Sequence, residues 1–172
     1  MMYNSTNFLL EYPELVYDRD ILKTFANNLR HWAPNMHFMA AGYDTSLCHF
    51  YDRYVEATST PLTNTIHSTV LKLLPTTDLV YKFTKVLAGG VMPYHIDPQR
   101  GGVLMIPISD YPSKVCWKDK SGQIIFEHTY RCPTIINAKI PHGVPYTPTD
   151  RVFLQGSVAG SWESLVANRR QI

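Results

Sequence analysis

The sequence has little net charge and no long apolar run. Its 172 residues include 16 Lys and Arg against 14 Asp and Glu, so the formal net charge at pH 7 is only +2. A charge this close to neutral does not favour nucleic acid or an anionic membrane surface as a partner. No apolar stretch approaches the roughly 20 residues of a membrane-spanning helix, and the N-terminus lacks the pattern of a secretory signal. We therefore predict no nucleic-acid partner and no membrane association.

Cysteines are also scarce. Cys48, Cys116 and Cys132 are odd in number and widely spaced, and no Cys-x-x-Cys pair is present. This usage excludes a small disulfide-rich scaffold and favours reduced thiols, as in a cytosol-like compartment. The prediction is a cytoplasmic protein.

The composition is that of an ordinary globular protein, with 45% apolar and 17% charged residues. A chain of this length is expected to form one domain, residues 1–172. We divide it into three parts: a helical buttress with one or two strands (1–78), a β-rich core (79–158) and a C-terminal tail (159–172).

The first part contains two predicted helices. Asp18 to Trp32 carries an apolar stripe at helical spacing, with Asp18 as the N-cap. The second helix is predicted at Ser59 to Leu74, with Pro61 at its first helical position. The segments Met36–Ala41 and Leu47–Tyr51 are predicted as strands. We expect the stripe of the first helix to be buried against a sheet; its members are Ile21, Leu22, Phe25, Leu29 and Trp32.

From Leu79 onward the pattern alternates and is rich in β-formers, with Gly, Pro and Asp between short runs. About eight short strands with this density of turns predict a sandwich, barrel or jelly roll. The predicted strands are 79–87, 91–96, 103–108, 114–117, 123–130, 134–137, 143–146 and 151–158.

Potential metal ligands lie within this β-rich part. In an extended strand His95 and Asp97 project from the same face, and together they provide two ligands of a mixed nitrogen and oxygen site. His142 follows about 45 residues later, and Arg151 opens the next apolar run. A His-x-Asp motif alone is weak evidence, so the order of the whole set carries the interpretation.

That order resembles the Fe(II)- and 2-oxoglutarate-dependent oxygenases, over about residues 79–158. The run from His95 to Arg100, followed by a strand, is most similar to their aspartyl/asparaginyl β-hydroxylase-like branch. The resemblance implies a double-stranded β-helix (a cupin-like jelly roll) preceded by N-terminal helices. It also implies Fe(II) held by His95, Asp97 and His142, with 2-oxoglutarate as cosubstrate and O₂ as oxidant. Well-known animal members of the branch lack the carboxylate ligand that Asp97 provides here, which weakens the transfer of their substrate preference.

Four further residues are candidates for binding the cosubstrate. Arg151 is expected to bind the distal carboxylate of 2-oxoglutarate, because its planar fork matches a carboxylate. Ser157 shares the strand face of Arg151 and is expected to add a hydroxyl. Arg100 either reaches the cosubstrate or an acidic substrate, or simply pairs with a nearby acid. Tyr94 is a candidate pocket residue, with core packing as its alternative.

The predicted function is hydroxylation of an aliphatic C–H in a peptidyl or free amino acid, with release of succinate and CO₂. Two alternatives remain open from the sequence. One is a cupin-like metal-dependent isomerase or hydrolase, which would not need Arg151. The other is a metal-free β-sandwich module that binds a ligand. The expected partner of the enzyme is a peptide or small-molecule substrate.

Overall fold

The computed structural model describes residues 4–51 and 79–169. The predicted helix Ser59–Leu74 lies outside these ranges. Within them, two antiparallel sheets are formed, in the orders β1-β9-β6-β11-β4-β3-β2 (the large sheet) and β5-β10-β7-β8 (the small sheet). The large-sheet strands are β1 Leu9–Glu11, β2 Ala33–Pro34, β3 Cys48–Tyr51, β4 Leu79–Val86, β6 Gly102–Pro107, β9 Thr134–Ile136 and β11 Arg151–Val158. The small-sheet strands are β5 Met92–His95, β7 Lys114–Lys118, β8 Ile124–Thr129 and β10 His142–Val144.

The two sheets face each other across an apolar layer, which we call the inner core. Val115 and Trp117 of the small sheet pack there against Met105 and Phe153 of the large sheet, and all four are almost completely buried. Alternation places these side chains inward because successive residues of a strand point to opposite faces. The architecture confirms the predicted mostly-β fold of the jelly-roll type.

The other face of the large sheet is covered by helices. Leu104, Phe83 and Leu154 project from this face into a second apolar cluster. Leu22 of helix α1 (Arg19–Asn28) and Leu165 of helix α3 (Trp162–Arg169) pack on them. The large sheet is therefore buried on both faces.

Helix α1 begins where the sequence predicts, because the Asp18 carboxylate accepts a hydrogen bond from the Ile21 N–H. It ends at Asn28, earlier than expected. Leu22 is fully buried, but Ile21 is 51% exposed, so the prediction that Ile21 joins the buried stripe is wrong. Ala26, one turn after Leu22, is buried on the same face of the helix.

Two other segments differ from expectation. Met36–Ala40 forms a short helix, α2, and not a strand, because the Asn35 side chain accepts from the Phe38 N–H and caps it. The segment predicted as a C-terminal tail contains α3, whose Trp162 and Leu165 are buried. Arg169 makes an ion pair with Glu14. In the two described ranges, no helix has the length and apolarity needed to cross a membrane.

Adjacent positions of α1 provide a test of this packing. Leu22→Ala should lower the free energy of unfolding by about 2–5 kcal/mol, because it opens a cavity beneath the helix. Ile21→Ala should change it by less than about 0.5 kcal/mol, because that side chain is half in solvent. Urea unfolding of both variants measures the difference. Equal losses would contradict the observed orientation of the helix.

Candidate metal centre

Two histidines meet across a pair of strands in the small sheet. His95, the last residue of β5, is the direct cross-strand partner of His142, the first residue of β10. The centroids of their rings are 4.5 Å apart. Strand pairing therefore brings together two imidazoles that are 47 residues apart in the chain.

Each imidazole is held by a backbone carbonyl. Nδ1 of His95 lies 2.8 Å from the Pro93 carbonyl oxygen, and Nδ1 of His142 lies 3.0 Å from that of Ile140. A carbonyl oxygen only accepts, so each Nδ1 carries a hydrogen, and in a neutral imidazole the lone pair is then on Nε2. This is the arrangement that orients histidine ligands in metal sites.

Asp97 completes the group from the turn after β5. Its backbone N–H donates to the Ala138 carbonyl oxygen over 2.8 Å, which fixes the turn against the loop before β10. One potential ligand atom from each of Asp97, His95 and His142 lies within 4.8 Å of the other two. Residues 4–51 and 79–169 contain no second group of three or more His, Cys, Asp or Glu residues this close together. Two imidazoles and a carboxylate are a donor set suited to Fe(II) and similar first-row metals.

The local electrostatics favour the ligand form of His142. The side chain is 4% exposed. Burial, followed by the neighbouring His95, lowers the pKa of His142 from 6.5 to about 4. Its imidazole is therefore neutral at neutral pH, which is the form that binds a metal.

Arg100 lies beside the candidate carboxylate ligand. Its Nη1 is 3.4 Å from Oδ2 of Asp97, three residues earlier in the chain. Of the alternatives for Arg100, the structure shows pairing with a nearby acid, and that acid is Asp97 itself. The pair is about one-quarter exposed on each side, so solvent screens much of its energy.

A narrow cavity between the sheets connects the histidines to Arg151. His95, His142 and Arg151 all line it. Arg151 is 3% exposed, and its guanidinium carbon lies 4.4 Å from the centroid of the Phe153 ring and 5.6 Å from that of Tyr130. Its Nε has no hydrogen-bond partner, and burial lowers the pKa of the side chain. A buried cation with an unused donor is a place for an anionic ligand.

Two candidate residues lie away from this cavity. Tyr94 does not line it; its ring lies beneath Lys118, with Nζ 3.9 Å from the ring centroid. Ser157 shares the strand face of Arg151, but six residues of extended strand separate them by roughly 20 Å. Ser157 does not line the cavity either.

Three further residues at or beside the cavity are not predicted from the sequence. Gln155 lines the cavity four residues after Arg151, and its buried Oε1 has no partner. Its even offset from Arg151 places both side chains on one face of the strand, so the sequence offers a signal for it. Phe38 packs edge-on against the ring of His95, with centroids 4.7 Å apart, but the sequence predicts a strand for its segment. Tyr130 carried no signal, because only the packing of the two sheets brings it to Arg151.

The lowered pKa of His142 predicts a pH dependence in the metal-free protein. Between pH 6.5 and 4 the unfolded chain binds a proton at this residue and the folded chain does not. The free energy of unfolding should therefore fall as the pH falls through this window, by up to about 3 kcal/mol from His142 alone. Above pH 7 His142 is neutral in both states and adds no further dependence on pH. Urea unfolding at pH 7 and 4.5 should show a smaller loss in His142→Gln than in wild type; identical losses would contradict a buried neutral His142.

Comparison with known proteins gives a fold match. Neither a protein-family model nor a curated protein matches the sequence. The crystal structure of a prolyl-4-hydroxylase from Pseudomonas putida superposes with a TM-score of 0.56 at 12% identity, covering 88% of this chain and 92% of that one. Vicilin from hazelnut (Corylus avellana) gives a TM-score of 0.42 at 16% identity, covering 82% of this chain and 36% of that one. At 12% identity the likeness to the prolyl-4-hydroxylase shows a shared fold.

Proposed function

We propose that this protein is an Fe(II)- and 2-oxoglutarate-dependent dioxygenase that hydroxylates an aliphatic C–H of a peptidyl or free amino acid. The observation that carries the proposal is a His-Asp-His group whose histidines line the same cavity as Arg151, a buried arginine whose Nε has no hydrogen-bond partner. In the proposed reaction O₂ supplies one oxygen atom to the hydroxyl group of the product. The other enters succinate as 2-oxoglutarate loses CO₂.

The residues fit the metal. One ring nitrogen of each histidine and one oxygen of the carboxylate belong to one compact group, and three ligands on one side of an octahedral ion leave three adjacent positions free. When bound, Fe(II) would supply the redox chemistry with O₂, and 2-oxoglutarate would supply the remaining two electrons. His95, Asp97 and His142 are the proposed ligands.

The fit to 2-oxoglutarate rests on Arg151. A dicarboxylate that enters the cavity brings an anionic group to a guanidinium that has little solvent and an unused N–H. Phe153 and Tyr130 flank that guanidinium and exclude water from it, which strengthens a charge-assisted hydrogen bond. We therefore assign the distal carboxylate to Arg151.

Arg151 also separates this proposal from the alternatives. A metal-dependent isomerase or hydrolase uses the same ligands without needing a buried cation in the same cavity. A metal-free binding module would not need three ligand atoms within 4.8 Å.

The fold shared with a prolyl-4-hydroxylase supports the oxygenase superfamily and does not favour the aspartyl/asparaginyl branch. The three unpaired cysteines agree with our proposal of a cytoplasmic location.

The direct test is consumption of 2-oxoglutarate by protein supplied with Fe(II) and ascorbate in air. We expect succinate to form, and to form faster when a peptide or amino-acid mixture contains the substrate. The variant Asp97→Ala, which removes a proposed ligand, should abolish the reaction. Succinate formation that is absent from wild type, or equal in Asp97→Ala, would refute the proposal.

Substitution of Arg151 tests the cosubstrate assignment. Arg151→Ala should weaken 2-oxoglutarate binding by about 3–5 kcal/mol, a hundred-fold to several-thousand-fold, because it leaves a buried carboxylate unpaired. Arg151→Lys keeps the charge but not the fork, so its loss should be smaller. Calorimetric titration of Mn(II)-loaded, oxygen-free protein measures both.

Lys85→Ala is the matched control. Lys85 lies on the neighbouring strand and pairs with Asp150, but it does not line the cavity. It should bind 2-oxoglutarate like wild type, and all of these variants should bind Mn(II) normally. Binding of 2-oxoglutarate by Arg151→Ala at wild-type strength would remove Arg151 from the site.

A further inference from the structure

The loop between β9 and β10, residues 137–141, contacts two of the proposed metal ligands through its backbone. The carbonyl oxygen of Ala138 accepts from the backbone N–H of Asp97 over 2.8 Å. The carbonyl oxygen of Ile140 accepts from Nδ1 of His142 over 3.0 Å. The path of this loop therefore fixes where the Asp97 turn lies and how the His142 ring is oriented.

Asn137 holds that loop in place. Its side chain is buried, with the residue 6% exposed. Oδ1 accepts from the backbone N–H of Lys139 over 3.1 Å, which closes the turn on the loop itself. Nδ2 donates to the carbonyl oxygen of Asn7 over 2.9 Å, which ties the loop to the N-terminal segment.

The backbone of Asn137 is engaged as well. Its N–H donates to the Phe8 carbonyl oxygen over 2.7 Å. Its carbonyl oxygen accepts from Nε1 of Trp117 in the inner core, over 3.3 Å. One residue thus joins the N-terminal segment, the small sheet and the loop that orients the ligands.

We propose that Asn137 is a positioning residue for the metal centre. It acts through the carbonyl groups of Ala138 and Ile140, so it touches neither metal nor substrate. The inference rests on the proposed metal site. It also assigns a separate role to each end of the amide: Oδ1 shapes the loop, and Nδ2 anchors the N-terminal segment.

A purely structural role would give a different result. A buried asparagine that only stabilises the fold would affect thermal stability without changing how a folded molecule binds a metal. Thr134 provides the comparison, because it is fully buried on β9 and its hydroxyl donates to the Cys132 carbonyl oxygen over 3.0 Å. Thr134→Val deletes that hydrogen bond without touching the loop of residues 137–141.

The experiment is titration of metal-free protein with Co(II), whose visible spectrum reports the ligand geometry. Asn137→Ala and Thr134→Val should both lower the melting temperature. Only Asn137→Ala should weaken Co(II) binding, by about tenfold or more, and alter the spectrum. Asn137→Asp keeps the acceptor for Lys139 and loses the donor to Asn7. It should bind Co(II) within about threefold of wild type while melting earlier.

Wild-type Co(II) affinity and spectrum in Asn137→Ala would overturn the inference, as would an equal loss in Thr134→Val. If Asn137→Ala does not fold, Asn137→Leu takes its place, because it keeps the volume of the side chain but offers no acceptor to the Lys139 N–H. Wild-type Co(II) binding by that variant would overturn the inference instead.

The Co(II) titration does not depend on catalytic turnover. Wild-type protein that binds Co(II) but forms no succinate would refute the proposed oxygenase activity and leave the role of Asn137 standing. Wild-type protein that binds no Co(II) would refute both.

Discussion

The pairing of β5 with β10 is the constraint on which the candidate site depends. It places His142 directly opposite His95, with both rings turned to the same space. Because side chains alternate along a strand, a slip of one residue would turn His142 to the other face of the sheet. The register is supported by Gly143, where an added Cβ would lie 2.9 Å from the Met92 carbonyl oxygen, so a larger residue would force the strands apart.

Packing of the two sheets brings Arg151 to the cavity of the candidate site. The proposed metal ligands belong to the small sheet and its adjoining turn, whereas Arg151 begins the last strand of the large sheet. Facing sheets are about 10 Å apart, so inward side chains from both reach a common cavity. The desolvation of Arg151 is therefore a consequence of the sandwich, and an anionic ligand in the cavity would offset that cost.

Much of this arrangement is predictable from the sequence. The strand Arg151–Val158 has the predicted bounds because its alternation is long and regular. The order of His95, Asp97, His142 and Arg151 in the sequence predicts the candidate site. Other parts were not predictable. Met36–Ala40 is too short to show a helical period, and its Asn35 cap decides the structure, so the contact of Phe38 with His95 is not predictable. The approach of Tyr130 to Arg151 depends on tertiary packing, for which no local pattern exists.

The central claim is that one cavity binds both Fe(II) and 2-oxoglutarate. The most direct measurement is anaerobic titration of Fe(II)-loaded protein with 2-oxoglutarate, followed by visible absorption. A keto acid that chelates Fe(II) through its carboxylate and keto oxygens produces a charge-transfer band, and the account predicts that this band appears and saturates with one equivalent. It should not appear in His142→Ala. A wild-type spectrum that 2-oxoglutarate leaves unchanged would contradict the account.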